Sequence, residues 1–211
     1  VDYKQLIIDS GKEMMSKSLT VSTWGNISAR DFETGYIYLT PSGMDYSTCT
    51  TDDILVYDKD GKLVEGHRKP SIEKDMHVKI FQSRPDVGAV IHTHPTYSMV
   101  FSVLNWNVPA VTEEFAQLIG KEVRCAEYYL PGTLELADSV VKALGEGMAT
   151  LCVSHGAVCV GNDMKHAFNI STVLEKACQI YYMAKSIGDP VIIADKDVEI
   201  MQNFLKTQYG Q

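Results

Sequence analysis

No stretch of this 211-residue chain stays apolar for the length of a membrane span, and the segment from Val1 onward is amphipathic and mixed in charge. Neither a bilayer helix nor a secretion signal is expected. The five cysteines, Cys49, Cys125, Cys152, Cys159 and Cys178, are odd in number, include no pair separated by two residues, and mostly sit in apolar segments. That pattern suits reduced core thiols in the cytoplasm rather than a disulfide framework. Also missing is any basic run with interleaved aromatics. With a formal charge of −8 at pH 7, nucleic acid is not expected as a partner. An acidic chain that takes an anionic ligand must do so locally, through a metal, backbone amides or helix N-termini. Internal repeats, low-complexity tracts and linkers are absent too, so residues 1–211, 45% hydrophobic, are expected to form one domain.

What is present alternates in character along the chain. Tyr3 to Met15 carries apolar residues close to a helical stripe. Short strand-like pieces follow at Asn26 to Ala29, Tyr36 to Leu39 and Ile54 to Tyr57, with Asp60-Gly61 as a hairpin turn into Leu63 and Val64. Pro70-Ser71 starts a helix to about Ser83, with Ser71 as its expected N-cap, before an apolar strand from Val87. Helices are expected at Tyr97 to Leu104, Glu113 to Ile119 and Leu134 to Leu144, with Val123 to Ala126 extended between them. A long helix capped by Asn162 or Asp163 runs to about Ser186, and a last one covers about Lys196 to Lys206. The expected fold is α/β, a mostly antiparallel central sheet flanked by helices.

The chemistry gathers at strand ends. His92-Thr93-His94 closes the Val87 strand, and a single intervening residue points both imidazoles to one face. His155 is expected to end a second buried strand, Ala149 to Ser154, and Glu73 opens the Pro70-Ser71 helix. Three histidines and a carboxylate suit a divalent transition metal. Taken singly each has an ordinary explanation, since an acid in a first helical turn complements the macrodipole. Joint placement where loops begin favours a site. His77, one turn beyond Glu73, reads foremost as packed, with ligand or ligand-supporting roles left open; His67 and His166 read as solvated. Three loops, Ser22 to Asn26, Thr40 to Gly43 and Pro70-Ser71, offer hydroxyls and amides to an oxyanion, although such residues also make ordinary turns.

In order, Gly25-Asn26-Ile27-Ser28, Thr40-Pro41-Ser42-Gly43, Pro70-Ser71-Ile72-Glu73, His92-Thr93-His94 and Ser154-His155-Gly156 resemble the class II aldolase and adducin head family over nearly the whole chain. The resemblance implies an α/β/α fold, a homotetramer with active sites at subunit junctions, and Zn2+ on His92, His94 and His155. It implies that Glu73 ligates the resting metal, then serves as acid/base once substrate displaces it. Thr23, Asn26, Ser42, Gly43 and Ser71 match the family's phosphate pocket, and Tyr209 matches a tyrosine that reaches a neighbouring site to protonate the departing aldehyde oxygen. Glu73, where related epimerases carry Asp, favours an aldolase that cleaves a ketose 1-phosphate, such as L-fuculose 1-phosphate, to dihydroxyacetone phosphate and a short aldehyde. A 4-epimerase or dehydratase on the same scaffold, or a non-catalytic assembly module like the adducin heads, are the alternatives. Two departures bear on substrate: Ile72 stands where a second phosphate-binding serine is common, and Thr112-Glu113-Glu114 follows Val108-Pro109-Ala110 where the aldolase has an aromatic residue.

Overall fold

The structure is a computed structural model and describes residues 1–208. An N-terminal helix α1 (Tyr3–Ser16) leads into strands β1 (Asn26–Arg30), β2 (Ile37–Leu39), β3 (Leu55–Tyr57) and β4 (Leu63–Glu65). Helix α2 (Lys74–Ser83), β5 (Ala89–Thr93), α3 (Thr96–Leu104), β6 (Val108–Pro109) and α4 (Glu113–Leu118) follow. The remainder is β7 (Glu122–Ala126), α5 (Leu134–Leu144), β8 (Ala149–Cys152), β9 (Gly156–Gly161), α6 (Met164–Ile187) and α7 (Asp195–Gln208). The strands form one sheet in the order β4-β3-β2-β1-β5-β9-β8-β7-β6. The sheet is mixed: β7 and β8 run parallel, which corrects the mostly antiparallel expectation, while β1, β5 and β9 pair antiparallel. The parallel pair follows from topology, since α5 carries the chain from the end of β7 back to the start of β8.

Helices cover both faces, which is why the central strands read as nearly unbroken apolar runs. On β5, Val90 joins Met76, Ile80 and Phe81 of α2 and Leu136, Val140 and Leu144 of α5. Ile91 points the opposite way, toward Ile7 and Met14 of α1 and Phe168 of α6. A further cluster under β8 and β9 packs Phe115, Leu151, Cys159, Leu174 and Val198. The five cysteines are all free thiols. Among the described residues no helix is long and apolar enough to cross a membrane.

Two local expectations need correction. Helix α2 begins at Lys74 rather than at Ser71, because the Ser71 hydroxyl accepts from the Glu73 N–H at 3.2 Å and closes a turn ahead of the helix. Glu73 thereby becomes the N-cap residue, with its side chain free to point elsewhere. Strand β8 stops at Cys152, so His155 lies in the turn before β9 rather than at a strand end. That reversal is tight: Ser154 takes φ 55° and the His155 N–H bonds the Cys152 carbonyl at 3.0 Å. Beside it, the register Asn26↔His92 and Thr93↔Ala157 brings the start of β1, the end of β5 and the start of β9 to one edge.

Candidate metal centre

His92 is wholly buried at the end of β5, on the face covered by α2, and His94 follows just past the strand. His155 swings in from the β8–β9 turn. The three residues each offer a ring nitrogen, all within 4.8 Å of one another, and could hold a metal ion. His92 and His94 face each other Nε2 to Nε2 at 2.9 Å. Glu73 completes the set, with Oε2 3.3 Å from His92 Nε2 and Oε1 3.1 Å from His155 Nε2. Helix α3, which begins immediately after this segment, is pinned by Glu175 of α6, whose carboxylate accepts the Tyr97 and Ser98 N–H groups at 2.8 Å each.

The hydrogen bonding states which nitrogens carry lone pairs. His92 Nδ1 donates to the Ala157 carbonyl at 3.0 Å, so Nε2 is bare and turned into the cluster. Burial pushes the His92 ring's pKa down, although the Glu73 carboxylate opposes the shift. Burial, with His92 and His155 nearby, pushes His94 down to about 3. Both rings are therefore neutral near pH 7, the form in which imidazole ligates. Burial would raise the Glu73 carboxyl, but the His92 ring, His155 and the Asn26 amide outweigh it and hold the group well below the usual carboxylate range. Glu73 Oε1 is buried and takes no hydrogen bond within the protein, with His155 Nε2 3.1 Å away. Three imidazoles, that of His92 with its Nε2 lone pair free, and an acceptor-only oxygen converging on one point fit a divalent cation.

Two glycines make room for this. A Cβ on Gly156 would collide with the Thr93 carbonyl oxygen and lie 2.7 Å from His94 Cδ2 and 3.1 Å from His92 Cε1. Gly25 has φ +77°, and a Cβ there would sit 2.7 Å from the His92 carbonyl oxygen. Neither requirement is visible from residue spacing alone.

A cavity of about 590 Å3 opens over the cluster. Thr23, Asn26, Ser42, Gly43, Ser71, Glu73, His94 and His155 all line it, so the three hydroxyl-rich loops and the histidines do meet at one place. His92 is wholly buried and does not itself line the cavity. Asn26 uses its side chain within the protein, donating Nδ2–H to Glu73 Oε2 at 2.7 Å and facing His77 with Oδ1. His77 is fully buried but is more than packing, because it joins Asn26 to Ser28. Sequence spacing placed it one turn from Glu73 without revealing this network. His67 is exposed and His166 pairs locally with Asn162. Trp24, Ile72, Met99, Tyr128 and Pro131 give the cavity an apolar wall that spacing also did not reveal. Glu113 lies in the first turn of α4 and does not line the cavity within this chain, and Tyr209 lies outside the described residues.

Residues 5–182 match the family model described as Class II Aldolase and Adducin N-terminal domain. The chain is 38% identical over 208 residues to a 5-deoxy-D-ribulose 1-phosphate aldolase of Bacillus thuringiensis serovar kurstaki, covering 99% of this chain and 97% of that one. It is 35% identical to the L-fuculose phosphate aldolase of Escherichia coli K12, covering 97% of this chain and 94% of the relative. A solved structure of an L-fuculose 1-phosphate aldolase superposes with a TM-score of 0.94 at 40% identity, covering 97% of this chain and 96% of that one. With the fold shared and the match running through every segment that builds the cluster, the chain belongs to the class II aldolase and adducin N-terminal domain family.

Proposed function

We propose that this chain is a zinc-dependent aldolase that cleaves a ketose 1-phosphate, of the L-fuculose or 5-deoxyribulose 1-phosphate type, to dihydroxyacetone phosphate and a short aldehyde. Its family, with aldolases among its relatives at 35–38% identity over nearly the whole chain, supports lyase activity. The observation that carries the finer reading is the meeting of three imidazoles and one buried carboxylate beneath a cavity with hydroxyl-bearing loops. A divalent ion held by His92, His94 and His155 supplies a Lewis acid for oxygens of the substrate. Neutral imidazoles leave the ion's charge undiminished, which suits a reaction that develops negative charge.

Glu73 is the proton-handling group. Its carboxylate is buried, ionised and tethered through Oε2 to Asn26, leaving Oε1 to turn between the histidine cluster and the cavity. In cleavage it returns a proton to the carbon released from the broken bond; in synthesis it removes that proton. Thr23, Ser42 and Ser71 offer hydroxyls to the phosphate, and Gly43 presents open backbone at φ +63°. Asn26 shares that wall while its amide serves Glu73. These local groups bind an anion despite the chain's charge of −8. Tyr209, reaching a neighbouring site in a homotetramer, takes the proton from the hydroxyl that becomes the aldehyde carbonyl in cleavage and returns it in synthesis, and the whole chain acts as one catalytic domain in the cytoplasm.

Metal-replete protein incubated with a panel of ketose 1-phosphates should release dihydroxyacetone phosphate from at least one of them. A chelator should abolish release and zinc restore it. Release that continues unchanged after the metal is stripped, or no release from any member, would overturn the proposal.

A further inference from the structure

Ser28, His77, Asn26 and Glu73 form an unbroken buried chain of side-chain hydrogen bonds: Ser28 Oγ to His77 Nδ1 at 2.6 Å, His77 Nε2 to Asn26 Oδ1, and Asn26 Nδ2 to Glu73 Oε2 at 2.7 Å. None of the four is more than 6% exposed. Asn26 and Ser28 are alternate residues of β1 and so share the face that α2 covers, while Glu73 and His77 lie one helical turn apart. Two elements are thus stitched by three bonds beside the histidine cluster.

The direction of every bond is determined. An ionised carboxylate only accepts, so Asn26 must present its NH2 to Glu73 and its oxygen to His77. Facing an oxygen, His77 Nε2 must carry the hydrogen. Its Nδ1 is then bare and takes the Ser28 hydroxyl proton. If the His77 donor is removed, the buried Asn26 oxygen loses its partner and the amide is held at the Glu73 end alone.

We propose that His77 is a positioning residue: through Asn26 it locks the amide in the orientation that holds Glu73 Oε2 and aims Oε1 at the histidine cluster. The functional consequence rests on the aldolase reading above; the bond directions do not. Ser28 belongs to the same device, since its hydroxyl satisfies the Nδ1 lone pair that this tautomer leaves bare.

The test compares His77→Gln, which keeps an amide donor toward Asn26, with His77→Leu, which fills space without one, and with the smaller change Ser28→Ala. Nitrogen NMR of the metal-free wild type should show His77 as the neutral Nε2–H tautomer. Zinc affinity, measured by competition with a chromophoric chelator, should fall ~10–100-fold in His77→Leu, and in His77→Gln by under about 3-fold. In dihydroxyacetone phosphate release, kcat should follow the same order with little change in KM. Ser28→Ala should fold normally, keep the Nε2–H tautomer and lie between the two in zinc affinity. An Nδ1–H ring in the wild type, or Gln and Leu variants equal to each other in zinc affinity at equal thermal stability, would overturn the proposal. A wild type that releases no dihydroxyacetone phosphate but shows the tautomer and affinity order would overturn the assigned reaction and leave the lock standing.

Discussion

Gly156→Ala is the smallest change that should disable the histidine cluster. The added methyl would stand 2.7 Å from His94 Cδ2, about 0.8 Å short of ordinary carbon contact, and 3.1 Å from His92 Cε1, while colliding with the Thr93 carbonyl. The Thr93 oxygen belongs to the β5–β9 ladder and His92 is fixed by the Ala157 carbonyl, so His94 is the group that yields. Metal–ligand distances tolerate only about 0.2 Å, and a displacement several times larger removes one nitrogen from the set. We expect zinc affinity to fall ~10–100-fold and the metal-free protein to lose ~1–3 kcal/mol to overpacking. Competition with a chelator measures the first and urea unfolding the second. Gly188→Ala is the control, since Gly188 has extended backbone and a Cβ there meets nothing within 4 Å. If Gly156→Ala binds zinc and unfolds like this control, the reasoning about the cradle is wrong.

Glu73→Gln should retain most zinc binding, because an amide oxygen can still face the ion, but dihydroxyacetone phosphate release should drop ~10²–10⁴-fold; near-normal turnover would remove its proton-handling role. Stability of the metal-free protein should decline in acid because of His77, whose pKa burial, with the His92 ring adding, depresses from 6.5 to about 3. The unfolded chain takes a proton on this residue below pH 6.5 that the native state refuses until about 3, so the share of stability due to His77 falls with falling pH across that window, by ~2 kcal/mol at pH 5, alongside the losses from His92 and His94. Urea midpoints at pH 7.5 and 5 measure it, and a His77→Gln variant with the same acid loss would refute the assignment. Arg30→Met should cost about 3 kcal/mol in urea unfolding, since the guanidinium binds the Phe81, Arg84, Pro85 and Val87 carbonyls that end α2.

Helix α5 could be read from sequence to its exact ends because local signals agree: Thr133 caps it, its apolar face repeats at helical spacing, and Gly145 follows. The His92-Thr93-His94 pair was equally legible, being a property of one strand. Other features depended on contacts between distant segments. Strand β6 is two residues long and includes Pro109, so it lacks any periodic signal and exists only by pairing with β7. The start of α2 shifted because Ser71 spent its hydroxyl on a turn instead of a cap. The task given to Asn26 changed for the same kind of reason: its neighbours in space, Glu73 and His77, are 47 and 51 residues away in sequence. Which groups converge was readable from residue types; which bonds each spends inside the protein was not.

The ladder register that sets Asn26 beside His92 and Ala157 beside Thr93 has a consequence for how the protein matures. His92 takes its orienting carbonyl from a residue 65 positions away, so a partly folded chain offers an ion only the local His92–His94 pair. Long loops must close before the third nitrogen arrives, and the entropy of that closure is met by strand pairing and core burial rather than by the metal. Capture of a metal ion by the three histidines is therefore expected late in folding, and tight uptake by a nascent or damaged chain would report that β1, β5 and β9 have already found one another.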